Sequence, residues 1–119
     1  MVLSPAMAIT IYHNPQCSNS RKALELIRAR GIEPRVVEYL KAPPTRAELQ
    51  ALVEKLGVPL RDLTRSKEPL YADLNLAAAD ESALLDAIAA HPLLLNRPIV
   101  VTDKGAGLCR PGEAVLKLL

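Results

Sequence analysis

The chain of 119 residues contains no Trp and no Phe, and its aromatic side chains are three tyrosines. Proteins that bind single-stranded nucleic acid stack the bases on aromatic rings, so this composition argues against that class. The formal net charge is only +2, and the basic residues are scattered along the sequence. We therefore expect no broad basic surface for nucleic acid or an anionic membrane, although a site for a small anion stays open.

Long apolar runs are also absent, because the longest are far shorter than the roughly 18 residues that indicate a membrane span. The first residues lack the cationic start and apolar stretch of a secretory leader. Two cysteines, Cys17 and Cys109, are enough for one disulfide in a secreted protein, but a core this rich in Leu does not require one. We therefore expect a soluble cytoplasmic protein with reduced thiols, folded as a single domain over residues 1–119.

The first third of the chain has the pattern of a βαβ unit. Residues 8–12 are a short apolar run of strand type, and residues 18–31 follow as a helix of about three turns that stops at a glycine. Residues 36–40 make the next strand, which ends before two prolines. Two strands joined in this way are expected to pair in parallel with a right-handed crossover.

Helices fill the middle of the chain, and a hairpin precedes its last segment. Thr45 and Glu48 have the spacing of a capping box, and a further full helix is expected over residues 80–90. Residues 98–102 and 107–110 flank a turn-rich link, which indicates an antiparallel hairpin. A last helix then carries three apolar side chains expected to face inward: Val115, Leu116 and Leu119. The predicted fold class is α/β, a thioredoxin- or glutaredoxin-like four-stranded mixed sheet (βαβ then ββα) with a helical insertion between the halves.

Cys17 falls in the turn between the first strand and the first helix. Unpaired backbone N–H groups and the positive end of the helix dipole converge there, and both stabilise a thiolate. Arg21 and His13 are close in sequence and can add positive potential, and the Ser20 hydroxyl can donate to the sulfur or to a bound oxyanion. The alternative is a small buried residue beneath a loop, but the position at a strand-to-helix turn favours a reactive thiol.

The thiol has no local partner, because Ser20 stands where a dithiol oxidoreductase has its second cysteine. Such a sulfur forms a covalent adduct or a mixed disulfide that another thiol must release. Cys109 is predicted to lie within a strand, where burial suppresses ionisation. We therefore expect no obligatory disulfide between Cys17 and Cys109.

The segment HNPQCSNSR at residues 13–21 resembles the active-site signature of the glutaredoxin-dependent arsenate reductase (ArsC) family. Further matches follow in order, with LTR at residues 63–65, NRPIVV at residues 96–101 and LCRP at residues 108–111. The resemblance thus covers nearly the whole chain. The chain also resembles shorter paralogs of the family, because its last predicted helix ends at Leu119, where arsenate-reducing members have a further charged segment.

This resemblance implies a role for each matching residue. Cys17 would be the catalytic nucleophile, and three arginines would bind the substrate oxyanion: Arg65, Arg97 and Arg110. Pro98 would follow a cis peptide bond and face the cysteine loop. His13 would assist thiolate formation, and Ser20 would lie close to the sulfur. Without the resemblance, each of these arginines is interpreted as a surface residue, and His13 stays open between a catalytic residue and a turn residue.

The reaction implied by the resemblance begins when the Cys17 thiolate attacks arsenate and displaces hydroxide. Glutathione then adds as a co-substrate, and glutaredoxin reduces the product so that arsenite leaves. No bound cofactor and no metal is required, because the redox chemistry lies in thiols and arsenic. The protein is expected to act as a monomer, without nucleic acid or membrane partners.

Two other functions stay open: a monothiol glutaredoxin-like thiol transferase, and a non-enzymatic regulator that binds RNA polymerase. Three guanidinium groups favour an oxyanion substrate over a glutathionyl one, because they bind oxyanions through paired N–H donors. The absence of a local Cys-x-x-Cys pair argues against the redox regulator.

Overall fold

The computed structural model describes residues 8–119, which divide into two compact units. The first unit contains residues 8–39 and 97–119, and the second contains residues 40–96. Most of the segment examined for a secretory leader lies outside the described residues. The expectation of a single domain stays a prediction.

The first unit is built on a four-stranded sheet. Its strands are β1 (Thr10–His13), β2 (Arg35–Glu38), β3 (Ile99–Thr102) and β4 (Gly105–Leu108), in the spatial order β2-β1-β3-β4. β1 is parallel to β2, whereas β1 with β3 and β3 with β4 are antiparallel. The mixed sheet and the α/β class are therefore confirmed.

The hairpin between β3 and β4 is tighter than predicted. Thr102 pairs directly with Gly105, so that Asp103 and Lys104 form a loop of two residues. Gly105 has a positive φ of 144°, which a residue with a side chain rarely adopts. β4 therefore begins and ends two residues earlier than the sequence pattern indicated, and Cys109 lies just after the strand rather than within it.

Two helices complete the first unit. The helix α1 (Ser18–Ala29) buries Ala23 and Ile27 in the core beside Ile11 of β1, and a 3₁₀ helix, Gly112–Leu118, contributes Val115. The inward orientation predicted for Leu116 is wrong, because its side chain is 42% exposed. A 3₁₀ helix repeats every three residues, so its inward face follows the buried Gly112 and Val115.

The second unit is helical, with α2 (Arg46–Leu56), α3 (Pro69–Asp73) and α4 (Glu81–Ala90). The predicted capping box at the start of α2 is present: the Thr45 hydroxyl accepts from the Glu48 N–H, and the Glu48 carboxylate accepts from the Thr45 N–H. The sequence pattern did not predict α3, which is only five residues long. Short 3₁₀ helices lie at Leu60–Leu63, Leu76–Ala78 and Pro92–Leu94. Over residues 8–119, no helix is long and apolar enough to cross a membrane.

Candidate active site

Cys17 is the N-cap residue of α1. Its backbone is extended (φ −95°, ψ 123°), its N–H donates to the Asn14 carbonyl at 3.0 Å, and its carbonyl accepts from the Arg21 N–H at 3.0 Å. The thiol is free, and the residue is only 7% exposed. The sulfur is therefore held at the N-terminal end of α1, where backbone N–H groups lack helical acceptors.

The pKa of Cys17 is lowered from its ordinary value, as its place at the helix start predicted. Burial is the largest single influence and raises the pKa, since it disfavours the charged form. Four favourable influences outweigh it: the backbone N–H of Ser20, the charge of Arg97, the backbone N–H of Asn19 and the side chain of Arg110. The site is thus organised to stabilise negative charge at the sulfur.

Arg110 contacts the sulfur directly. Its Nη1 donates to Cys17 Sγ at 3.6 Å and to the Arg97 carbonyl at 3.0 Å. One guanidinium nitrogen therefore links the first turn of α1 to the segment that enters β3. The side chain is exposed, so its remaining donors can reach a ligand from solvent.

Arg21 binds the loop that precedes the cysteine, and its contribution to the potential at the sulfur stays a prediction. Its Nη1 donates to the Pro15 carbonyl at 2.9 Å. The positive charge at the sulfur comes from Arg97 and Arg110, which are distant in sequence.

The Ser20 hydroxyl binds Asn14 and His13 rather than the sulfur. Its Oγ accepts from the Asn14 N–H at 3.0 Å and lies 2.6 Å from His13 Nδ1. The hydroxyl is therefore committed to the loop and to His13. The backbone N–H of Ser20, rather than its hydroxyl, stabilises the sulfur.

His13 lies at the end of β1, where it is 6% exposed and paired in register with Glu38. Burial lowers the pKa of the imidazole, the charge of Glu38 opposes this, and Arg28 and Arg21 lower the pKa further. A neutral imidazole adds no positive potential at Cys17. The contact with Ser20 Oγ makes His13 a support for the cysteine loop.

The peptide bond between Arg97 and Pro98 is cis, as the resemblance implied. A second cis bond, between Arg110 and Pro111, was not expected. Cys109 precedes it, donates its backbone N–H to the Pro98 carbonyl at 2.9 Å and is buried. Burial raises the pKa of its thiol to about 11, so Cys17 is the more readily ionised of the two cysteines.

Arg65 belongs to the second unit. Its Nη2 lies 2.8 Å from Glu68 Oε1, and its backbone N–H donates to the Leu94 carbonyl at 2.8 Å. Its membership of an oxyanion site with Arg97 and Arg110 stays a prediction. Over residues 8–119, no three His, Cys, Asp or Glu side chains are grouped as metal ligands.

Two contributors were not identified from the sequence. The Asn19 N–H follows from the geometry of an N-cap, in which the next N–H groups turn toward the cap residue. The placement of Glu38 beside His13 requires the register of β1 and β2. The first could have been found by applying helix geometry to Cys17, and the second could not.

A model of the ArsC family matches residues 12–118, which is nearly the whole of this chain. The chain belongs to the ArsC family. A curated relative called arsenate reductase, from Rhizobium meliloti (strain 1021), is 50% identical over 115 residues, which cover 95% of this chain and 82% of the relative. The solved structure of an arsenate reductase from Vibrio cholerae matches with a TM-score of 0.91 at 45% identity, covering 95% of this chain and 98% of that one.

Another relative, the uncharacterized protein YfgD of Escherichia coli (strain K12), is 46% identical over 114 residues, which cover 93% of this chain and 96% of the relative. Relatives with and without an assigned activity thus share this sequence pattern. The match to the solved Vibrio cholerae structure shows that the chain has the thioredoxin-like fold of ArsC-family proteins.

Proposed function

We propose that this ArsC-family protein is an arsenate reductase in which the Cys17 thiolate attacks arsenic. The observation that carries the proposal is a thiol of lowered pKa within 3.6 Å of the Arg110 guanidinium and close to the charge of Arg97. A nucleophile beside cationic donors matches the needs of a tetrahedral oxyanion substrate. Two relatives called arsenate reductase, which are 50% and 49% identical to this chain, support arsenate as the substrate.

Arsenate would be bound by Arg97 and Arg110, the two guanidinium groups that favour negative charge at the Cys17 sulfur. Each guanidinium presents donors in a fixed fork and stays charged at any physiological pH. One nitrogen of Arg110 binds Cys17 and the Arg97 carbonyl, which leaves its other nitrogens for substrate oxygens.

In the first step, the Cys17 sulfur forms a bond to arsenic(V), and one arsenate oxygen leaves as hydroxide. In the following steps the glutathione thiol bonds to the arsenic, and glutaredoxin then reduces the resulting species. A glutaredoxin thiolate attacks the glutathione sulfur, whose bond to arsenic breaks with the electron pair left on arsenic, so that arsenic(V) becomes arsenic(III) and the two thiols become a mixed disulfide. Water then displaces the Cys17 thiolate from arsenic(III), and arsenite leaves. Such a cycle requires reduced thiols and therefore a reducing compartment such as the cytoplasm.

The decisive experiment measures arsenite formed from arsenate with glutathione and glutaredoxin supplied. Cys17→Ser should abolish turnover, because a hydroxyl is not ionised at neutral pH. Arg97→Lys keeps the charge but removes the fork, and arsenate binding should weaken by ~1–3 kcal/mol, about 5- to 150-fold. Arg30→Lys, at the opposite end of α1, is the matched control and should retain turnover.

The competing function is a monothiol thiol transferase, and the serine at position 20 favours it because the site has no second thiol in the local motif. The same enzyme preparation should be assayed for reduction of a glutathione mixed disulfide. Transferase activity without arsenite formation would refute arsenate reduction and favour the thiol transferase. Arsenate turnover by Cys17→Ser would refute the role of the Cys17 thiolate as the nucleophile.

A further inference from the structure

Asn19 contacts two different parts of the first unit. Its backbone N–H is one of the groups that lower the pKa of Cys17. Its side-chain Oδ1 accepts a hydrogen bond from the backbone N–H of Gly112 at 3.3 Å, across 93 residues of sequence. The side chain therefore joins the turn that holds the sulfur to the start of the final 3₁₀ helix.

The Gly112 N–H needs such an acceptor. Gly112 is the first residue of the 3₁₀ helix, so its N–H has no partner within that helix, and the cap residue Pro111 makes no side-chain capping bond. Asn19 therefore caps a helix other than its own. A residue at position 19 without a side-chain acceptor would leave the part-buried Gly112 N–H without this hydrogen bond.

The two segments also fit closely. A Cβ placed on Gly112 would lie 2.6 Å from the Asn19 carbonyl oxygen and 2.8 Å from Lys22 Cβ. The helix start thus lies directly against the first turns of α1, and the Asn19 hydrogen bond forms at this contact. Only a residue without a side chain permits the approach.

Arg110 lies between this contact and a second one. Cys109 is anchored by its N–H bond to the Pro98 carbonyl, and Gly112 is anchored by Asn19. The residue flanked by these anchors places its Nη1 on Cys17 Sγ and on the Arg97 carbonyl. Loss of the Asn19 hydrogen bond removes one of the two long-range hydrogen bonds that flank Arg110.

We propose that Asn19 is a positioning residue that, through its hydrogen bond to Gly112, holds the Arg110 guanidinium against the Cys17 sulfur. As a role in arsenate reduction this rests on the proposed function, but the effect on the thiol does not. Asn19→Ala removes the acceptor and keeps the backbone N–H at the sulfur. Any change at Cys17 then arises from the side chain.

The test follows thiolate formation by ultraviolet absorbance as a function of pH, in a Cys109→Ala background where Cys17 is the remaining thiol. Asn19→Ala should move the midpoint to higher pH and lower the ratio of thiolate to thiol at a fixed pH by about three- to fivefold, a fraction of one charged hydrogen bond. Ser18→Ala is the control in the same turn, because the exposed Ser18 makes no side-chain bond to Gly112. It should leave the midpoint unchanged.

A double-mutant cycle separates positioning from general destabilisation. If Asn19 acts through Arg110, Asn19→Ala should have no further effect on the midpoint once Arg110→Met is present. An unchanged midpoint in Asn19→Ala, or an equal shift with and without Arg110, would overturn the proposal. Circular dichroism of each variant confirms that it is folded.

Gly112→Ala provides a second perturbation of the same contact. The added methyl must displace the helix start from α1, so the midpoint should move in the same direction as in Asn19→Ala. A shifted midpoint without any arsenate turnover in the parent protein would refute the proposed function and leave the positioning role standing.

Discussion

Replacement of Arg110 by Met is the most direct test of how the site stabilises negative charge. Met is similar in length and unbranched, but it has neither charge nor donors. The substitution removes the 3.6 Å hydrogen bond to Cys17 Sγ and the 3.0 Å bond to the Arg97 carbonyl. The backbone N–H groups of Ser20 and Asn19 are not altered.

The size of the effect follows from the geometry. A hydrogen bond to a charged group contributes about 1.5–3 kcal/mol, but this contact is long and the guanidinium is exposed to solvent, which screens it. We therefore expect a loss of about 1 kcal/mol, equivalent to about a fivefold smaller ratio of thiolate to thiol at a given pH. Arg110→Lys keeps the charge and should cause a smaller loss of thiolate stabilisation than Arg110→Met.

The assay is the pH dependence of thiolate absorbance with Cys109 replaced by Ala, because the pKa of Cys109 near 11 would otherwise distort the upper end of the titration. Arg30→Met is the matched control. Arg30 is the C-cap of the same helix, thirteen positions after Cys17, which corresponds to about 20 Å along the axis. Equal titration curves for Arg110→Met and Arg30→Met would show that the N–H groups of α1 stabilise the thiolate without Arg110.

Two further predictions concern the other titratable groups of the first unit. Cys109→Ala should retain near-normal arsenate turnover with glutathione and glutaredoxin, because an external thiol resolves the adduct; a Cys17–Cys109 disulfide trapped during turnover would contradict this. The folded pKa of His13 is below its ordinary value of 6.5, so the unfolded chain binds more protons and the free energy of unfolding should fall as the pH drops below about 6.5. His13→Gln should make the free energy of unfolding, measured by urea denaturation, less dependent on pH between about pH 7 and about pH 5. An unaltered pH dependence would refute the lowered pKa of His13.

Local rules were sufficient for several elements. The Thr45 and Glu48 spacing located the start of α2, because a capping box satisfies N–H groups that are close in sequence. The position of Cys17 before a run of helix-forming residues likewise predicted its N-cap place and its lowered pKa. The capping groups of α2, and the Ser20 and Asn19 N–H groups that stabilise Cys17, lie within a few residues of the groups they bind.

Predictions failed where the local pattern was compatible with two geometries. The spacing of Val115, Leu116 and Leu119 suits an α-helix, whereas the segment forms a 3₁₀ helix that leaves Leu116 exposed. The short α3 was missed because five residues carry too little periodicity to identify a helix. The start of the 3₁₀ helix packs against α1 at Gly112, a contact that the local pattern does not reveal.

The sequence by itself determined that a thiol of lowered pKa stands at the head of a helix, because Cys17 and the N–H groups that stabilise it are neighbours along the chain. Resemblance named Arg97 and Arg110, but residue spacing alone suggested Arg21, which binds the Pro15 carbonyl. Only the tertiary structure decided which guanidinium reaches the sulfur. The antiparallel pairing of β3 with β1 and β4 brings residues 97 and 110 to Cys17, and such long-range pairing depends on the whole sheet rather than on any short segment.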